Sequence, residues 1–254
     1  MSDFNLPTEL VSALRLARHV VALTGAGISA ESGLPTFRDA MTGLWAQYRP
    51  EELATPEAFQ RNPKLVWEWY AWRRQLVEAA APNPAHHALA ALERLVPRLT
   101  LITQNVDSLH QLAGSSAVIE LHGNIRRTRC FANGHPAETW DESKAVPPRC
   151  TICGSPLRPG VVWFGERLPE EALNNAIEAS ATCDFFFSIG TSGMVEPAAS
   201  LPQVALKFGA TVIFINLDVE DKTTPPLFRL NGKAGTLLPA LVAAAWPDDG
   251  EVEG

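Results

Sequence analysis

Five short apolar runs limit what this chain can fold into: HVVALTG from His19, LTLITQN from Leu99, VIELHG from Val118, DFFFSIGTS from Asp184 and TVIFINLD from Thr211. Most are apolar at consecutive rather than alternate positions, the pattern of a strand covered on both faces. Amphipathic stretches such as PAHHALAALERLV and EEALNNAIEASA lie between them, and residues 6–17 have helical apolar spacing. Strands alternating with helices predict an α/β fold with a doubly wound, Rossmann-like parallel sheet. Ligands of such sheets sit beyond the carboxyl ends of the strands. The tails TGAG, TQNVD, LHGN, GTS and NLD are therefore expected to line one cleft.

Two segments break the alternation. Residues 46–82 read as a helical insertion, and residues 124–165, rich in Pro, Gly and Cys, as a small cysteine-containing, zinc-ribbon-like module. The rest of residues 1–254 reads as one domain carrying both, and 46% apolar residues suffice for its core. The net charge of -7, with no basic run, argues against nucleic acid as a partner. No apolar stretch reaches the length of a membrane span, so no membrane partner is expected. The start MSDFNLPTEL lacks a basic segment followed by an apolar core, so no secretory leader is expected. Four cysteines, at 130, 150, 153 and 183, are too few and too scattered for a disulfide scaffold. A cytoplasmic monomer is the expectation.

The chemistry lies in the tails. Gly25, Gly27 and Ala30 form a G-x-G-x-x-A turn from strand to helix, where backbone N–H groups can approach a pyrophosphate. A plain strand-to-helix connection explains the same residues equally well. PTFRDAMTGLW follows, without the second acid-ended strand of a dehydrogenase, so Asn216 or Asp218 is the candidate for holding a ribose. Asn105 and Asp107 are expected to face the cleft, although Asp107 also suits a helix cap. His122 ends a strand, where a near-neutral pKa suits a general base or a purely structural role.

Taken in order, GAGISAESGLPTFR, TQNVDSLH, ELHG, the cysteine module, VVWFGE, GTS and NLD resemble the sirtuins, from about residue 10 to about residue 240. The resemblance implies a bacterial NAD-dependent protein-lysine deacylase of the class III branch, with NAD+ as a consumed co-substrate and acylated-lysine proteins as substrates. It implies that Gly25, Ala26, Gly27 and Ser29 line the dinucleotide phosphates, and that Phe37 and Arg38 sit on a loop near the nicotinamide end. Gln104, Asn105 and Asp107 would organise the nicotinamide ribose and pocket, with His122 as general base. Gly190, Thr191, Ser192, Asn216, Leu217 and Asp218 would hold the rest of the cofactor, with Ala234 near the adenine. Val162, Trp163, Phe164 and Gly165 would form the substrate tunnel and a strand edge for the peptide. In the implied reaction the acyl oxygen attacks C1′ of the nicotinamide ribose and nicotinamide leaves. His122 accepts a proton from a ribose hydroxyl, and O-acyl-ADP-ribose is released. An ADP-ribosyltransferase and a non-catalytic NAD-binding sensor are the rival readings.

Structural zinc takes four ligands, commonly from two C-x2-C pairs. Cys150 and Cys153 make one pair. The family pattern implies a second pair near CFANGH, where only Cys130 stands. His135, spaced C-x4-H from Cys130, is a possible fourth ligand, and a zinc-free module held by packing is the alternative.

The stretch WEWYAWRRQL places Tyr70 and Arg73 on one face of a helix. An arginine snorkelling from an aromatic core helix would look the same. The sirtuins that remove acidic acyl groups carry Tyr-x-x-Arg in this helix, which implies activity on succinyl- and malonyl-lysine beside acetyl-lysine. Burying an acyl carboxylate costs several kcal/mol unless it is paired. An arginine fork and a phenol can supply that pairing. Arg74 should turn about 100° away.

Overall fold

The computed structural model describes residues 6–36, 47–217 and 219–247. Phe37, Arg38 and Asp218 lie outside the described residues. Helix α1 (Thr8–Leu16) precedes strand β1 (Val20–Thr24), and α2 (Ala26–Ala30) follows it directly. Next come α3 (Pro50–Leu53), α4 (Pro56–Arg61), α5 (Pro63–Ala79) and α6 (Pro84–Leu95). Strand β2 (Leu99–Thr103), helix α7 (Leu109–Leu112) and β3 (Val118–Glu120) lead to β4 (Gly123–Cys130), β5 (Pro136–Ala137) and β6 (Leu157–Val161). The chain continues through α8 (Glu170–Thr182), β7 (Phe185–Ile189), α9 (Leu201–Lys207), β8 (Thr211–Asn216), β9 (Lys222–Thr224), β10 (Leu227–Asn231) and α10 (Ala234–Ala245).

Several helix starts are written in the sequence. Thr55, Asn62 and Asn83 each stand before a proline at the first helical position. Their side chains accept the N–H groups of Ala58, Leu65 and Ala85. A capping acceptor followed by proline satisfies one orphan donor and presets the helical φ.

The main sheet has the order β3-β2-β1-β7-β8-β10-β9. All neighbours are parallel except the last pair. The five apolar runs are its first five strands. All five residues of β1 are buried because helices cover both faces. Val20 and Ala22 pack with Leu10, Leu89 and Leu238, from α1, α6 and α10. Val21 and Leu23 pack with Ala176 and Leu201, from α8 and α9. Strands β9 and β10 lie beyond what the apolar runs predict. In LFRLN only Phe228 is buried, so no continuous apolar run announces the strand.

The chain builds β1, β2 and β3 in one direction, then crosses to β7 on the other side of β1. That reversal opens a crevice at the carboxyl ends of β1 and β7. A separate antiparallel sheet, β5-β4-β6, contains Cys130. Helices α3 to α5 pack on it through Phe59, Trp69, Tyr70, Ile125, Val161 and Trp163. Among the described residues, no helix is long and apolar enough to cross a membrane.

Candidate active site

The strand tails converge as the parallel topology requires, and the contact between two of them is unusually close. Gly27 N–H donates to the Gly190 carbonyl at 2.8 Å, and Gly25 N–H to that of Ile189 at 3.0 Å. A Cβ on Gly25 would lie 2.8 Å from the Gly190 oxygen, and one on Gly27 2.7 Å from the Gly190 Cα. Gly190 itself has φ of 59°. These glycines therefore serve first to let the β1 and β7 tails touch. Asn216 Nδ2 donates to the Thr191 carbonyl at 2.8 Å, and Gln104 Nε2 to Thr191 Oγ1 at 3.2 Å. Gly25, Gln104, Gly190, Thr191 and Asn216 thus share one cleft floor. Ser192 continues the same tail, half of the Leu217 surface is exposed, and Ala26 and Ala234 open α2 and α10. The Gly25, Gly27 and Gly190 N–H groups are used between strand tails, so the small hydroxyls and carboxamides of this floor are the groups suited to a dinucleotide.

A buried polar chain runs across the mouth of β1 and β2. Asn105 Nδ2 donates to the Gly25 carbonyl and to Ser29 Oγ, both at 3.1 Å. Ser29 Oγ donates to Asp107 Oδ2 at 2.8 Å, and Asp107 Oδ1 accepts the Leu109 N–H at 2.9 Å. Asp107 is therefore a cap and a cleft residue at once. Burial raises its carboxyl pKa, while the Leu109 N–H, the Ser29 hydroxyl and the Arg73 guanidinium pull the other way. Beneath this chain, Thr24 Oγ1 donates to Thr103 Oγ1 at 2.9 Å and lies 2.9 Å from His110 Nε2. Burial depresses His110 to about 3, so it is a neutral brace that the motifs did not mark.

His122 follows β3 at the same edge. Its Nδ1 lies 2.8 Å from the Gln104 carbonyl. A carbonyl can only accept, so Nδ1 carries the proton and, in the neutral ring, Nε2 holds the lone pair. Burial lowers the pKa below 6.5, and the bond to Gln104 only partly opposes this. The result is a neutral imidazole with its basic nitrogen defined.

Tyr70 and Arg73 share a face of α5. Tyr70 is buried, with Trp163 Nε1 donating to its oxygen at 3.0 Å. Burial pushes the phenol up to about 12, so it stays protonated. The Arg73 guanidinium lies 5.2 Å from the Trp69 ring centroid, within the fields of both Tyr70 and Asp107. Arg74 turns to another partner set, 4.7 Å from the Trp67 ring and 5.6 Å from that of Trp140. Both indoles donate to Glu142 Oε1, at 3.2 and 3.1 Å. Arg74 thus joins α5 to the cysteine module and does not compete with Arg73.

The segment after β6 departs from a simple free edge. Val162 N–H donates to the His122 carbonyl at 2.8 Å and Phe164 N–H to that of Ala54 at 2.9 Å. Trp163 N–H donates to Glu166 Oε2 at 2.8 Å. These three donors are already used inside the chain, and Gly165 follows with φ of 85°. Phe164 is exposed, whereas Trp163 is buried beneath Tyr70. The pair of buried Arg158 with partly buried Glu166 under Trp163 went unmarked in the sequence, where an arginine in LRPGV carries no motif.

The cysteine module brings Cys130, His135, Cys150 and Cys153 together, their donor atoms within 4.8 Å of one another. Cys130 Sγ lies 3.3 Å from Cys153 Sγ, and Cys150 Sγ 3.6 Å from His135 Nδ1. Tetrahedral zinc with sulfur at about 2.3 Å needs donors roughly 3.5–4 Å apart, so the set fits. Burial works against the Cys150 thiolate, but the N–H groups of Cys153 and Ile152 and the His135 ring outweigh it, pulling the thiol down to about 6. Cys183 stays apart, at the C-terminal end of α8, where burial raises it to about 12.

A model of the Sir2 family matches residues 25–197, which include the β1, β2 and β7 tails and the cysteine module. A protein of Methylococcus capsulatus named NAD-dependent protein deacylase is 50% identical, over 93% of this chain and 96% of its own. A protein of Aquifex aeolicus with the same name is 58% identical, over 87% and 92%. A solved Sir2 homolog–NAD complex superposes with a TM-score of 0.84 at 45% identity, covering 95% of this chain and 94% of that one. A Sir2 variant bound to a deacetylated p53 peptide and 3′-O-acetyl ADP ribose superposes at 0.78 with 34% identity, covering 92% and 96%. A family match over more than half of the chain, with identity of this extent over nearly the whole length of both proteins, means that the protein belongs to the Sir2 family, the sirtuins.

Proposed function

We propose that this protein is an NAD-dependent protein-lysine deacylase that removes acetyl and acidic acyl groups, succinyl and malonyl, from protein substrates. The observation that carries the reading is His122, a neutral imidazole whose Nδ1 is tied to Gln104 at the edge of the dinucleotide cleft. NAD, when bound, supplies the electrophilic ribose carbon and the leaving nicotinamide, and the acyl group ends on ADP-ribose. His122 Nε2 takes the proton of the attacking ribose hydroxyl. Asn105, Ser29 and Asp107, already bonded to one another, hold the nicotinamide end without reorganising. Gly25, Ala26, Gly27, Gly190, Thr191, Ser192, Asn216, Leu217 and Ala234 hold the remainder of the dinucleotide. Arg73 and Tyr70 meet the acyl carboxylate, the arginine with charge and the phenol with a proton it keeps at neutral pH. An extended peptide meets the exposed Phe164 rather than the N–H groups of Val162, Trp163 and Phe164, which are used inside the chain. We read residues 46–82 and 124–165 as two insertions on one catalytic domain that works as a cytoplasmic monomer.

The test is one peptide carrying acetyl- or succinyl-lysine, with and without NAD, followed by mass spectrometry. NAD-dependent loss of both groups, with transfer to ADP-ribose, is expected. ADP-ribose appearing on the peptide would favour the transferase instead.

The titration of His122 gives a second expectation. The working base is the neutral ring, so activity is present above its pKa and lost as pH falls through it. The acid limb of kcat/KM, which reports the free enzyme, should have its midpoint below 6.5, because burial depresses the folded value. A midpoint well above 6.5 would assign the limb to another group.

Zinc at Cys130, His135, Cys150 and Cys153 is structural in this reading, since the cluster lies under Trp67, in a core separate from the cleft. Purified protein should hold about one zinc per chain. His135→Ala should lower zinc content and reduce Tm by about 5–10 °C, as losing several kcal/mol does in a chain this size. Full Tm with no zinc bound would instead support a module held by packing.

A further inference from the structure

We infer that Trp163 is a positioning residue for acidic acyl groups: its indole N–H occupies the accepting side of the Tyr70 oxygen and so directs the single phenolic proton toward the acyl carboxylate. The inference rests on the proposed role of Tyr70 and Arg73 and adds a residue that acts only through Tyr70.

The argument begins with donor counting. A phenol has one proton and an oxygen that also accepts, whereas an indole Nε1 can only donate. At 3.0 Å, Tyr70 must therefore be the acceptor from Trp163. Its own proton is left for a different partner, and an acyl carboxylate is the strongest acceptor the proposed substrate brings. Tyr70 remains protonated because burial lifts it to about 12.

Trp163 is held with unusual care for a core tryptophan. Its ring lies 5.3 Å from that of Phe59 and 6.3 Å from that of Phe131. The Arg158 guanidinium sits 3.3 Å from the ring centroid on a face of the indole. A cation there is attracted by the ring electrons, and by drawing on them it makes the N–H a better donor. Arg158 is in turn bonded through both terminal nitrogens to Glu166, and Nη2 also donates to the Val161 carbonyl at 2.9 Å. Glu166 closes the loop by accepting the Trp163 backbone N–H at 2.8 Å. One ion pair, between the buried Arg158 and the partly buried Glu166, thus clamps both the ring and the backbone of Trp163. Apolar residues of similar volume often stabilise a core as well as such a pair does. Fixing the direction of one N–H is something they could not do.

Trp163→Phe keeps a packed ring and removes the N–H. The expected result is a fall of about tenfold in the ratio of kcat/KM for succinyl- over acetyl-lysine peptide, the scale of one hydrogen bond to a charged system. In a Tyr70→Phe background the same substitution should move the ratio less than twofold, because no hydroxyl remains to direct. A purely structural role would move the ratio equally in both backgrounds, and that result overturns the inference, as does an unchanged ratio with Tyr70 present. If Trp163→Phe does not fold, benzothienylalanine at 163 keeps the bicyclic shape with sulfur in place of N–H and decides the same question. Tyr70→Phe and Arg73→Met separate the two levels. A ratio unmoved by either sinks the acidic-acyl reading itself, and a ratio moved by both but not by the loss of the indole N–H sinks only the role of Trp163.

Discussion

Replacing His122 with alanine should lower turnover by about 10²–10⁴-fold, the span contributed by a positioned general base. NAD binding, measured by calorimetry, and Tm should change little. The ring makes one resolved hydrogen bond, to the Gln104 carbonyl, and sits at the rim of the cleft rather than in a core cluster. Its loss removes the proton acceptor and leaves the Asn105–Ser29–Asp107 chain intact. The effect therefore belongs in kcat, with binding preserved. Wild-type turnover in the alanine variant would end the general-base assignment. Loss of NAD binding together with turnover would make His122 part of the cofactor site instead.

Arg73→Met should reduce the succinyl-to-acetyl ratio of kcat/KM by about 10²–10³-fold, since an unpaired buried charge costs about 3–5 kcal/mol. Methionine keeps a long apolar stem against Trp69 and deletes only the fork. Arg73 also lies in the field of Asp107, so acetyl activity falls to some degree as well. The ratio is the diagnostic for that reason. Equal loss of both activities would return Arg73 to a structural role on an aromatic helix.

The two sites differ in how far they can be read from the chain. His122, Asn105 and Asp107 are legible because each ends an apolar run, and a parallel sheet sends all such ends to one edge. Tyr70 and Arg73 are legible as a pair because three residues of helix place them on one face. The partner of the Tyr70 oxygen is not legible, because it is Trp163, 93 residues away. Gly25 and Gly27 are visible as a turn, but what makes glycine necessary there is the backbone of Gly190. His135 is spaced from Cys130 as a ligand could be, and only the folded module shows it beside Cys150. Phe37, Arg38 and Asp218 lie outside the described residues, so their place in the cleft rests on the family resemblance.

The sequence by itself determined a parallel sheet covered on both faces, the edge at which its polar tails collect and the shared face of Tyr70 and Arg73. Those properties follow from local periodicity and from the geometry every strand and helix shares. The tertiary structure alone decided the contact of the β1 and β7 tails, the tautomer of His122 and the gathering of Cys130, His135, Cys150 and Cys153. It also decided the use of the 162–164 N–H groups and the Arg158–Glu166 clamp on Trp163. Each of these depends on atoms far apart in sequence meeting within hydrogen-bond range. Strand order and packing set that meeting, and no spacing rule along the chain encodes it.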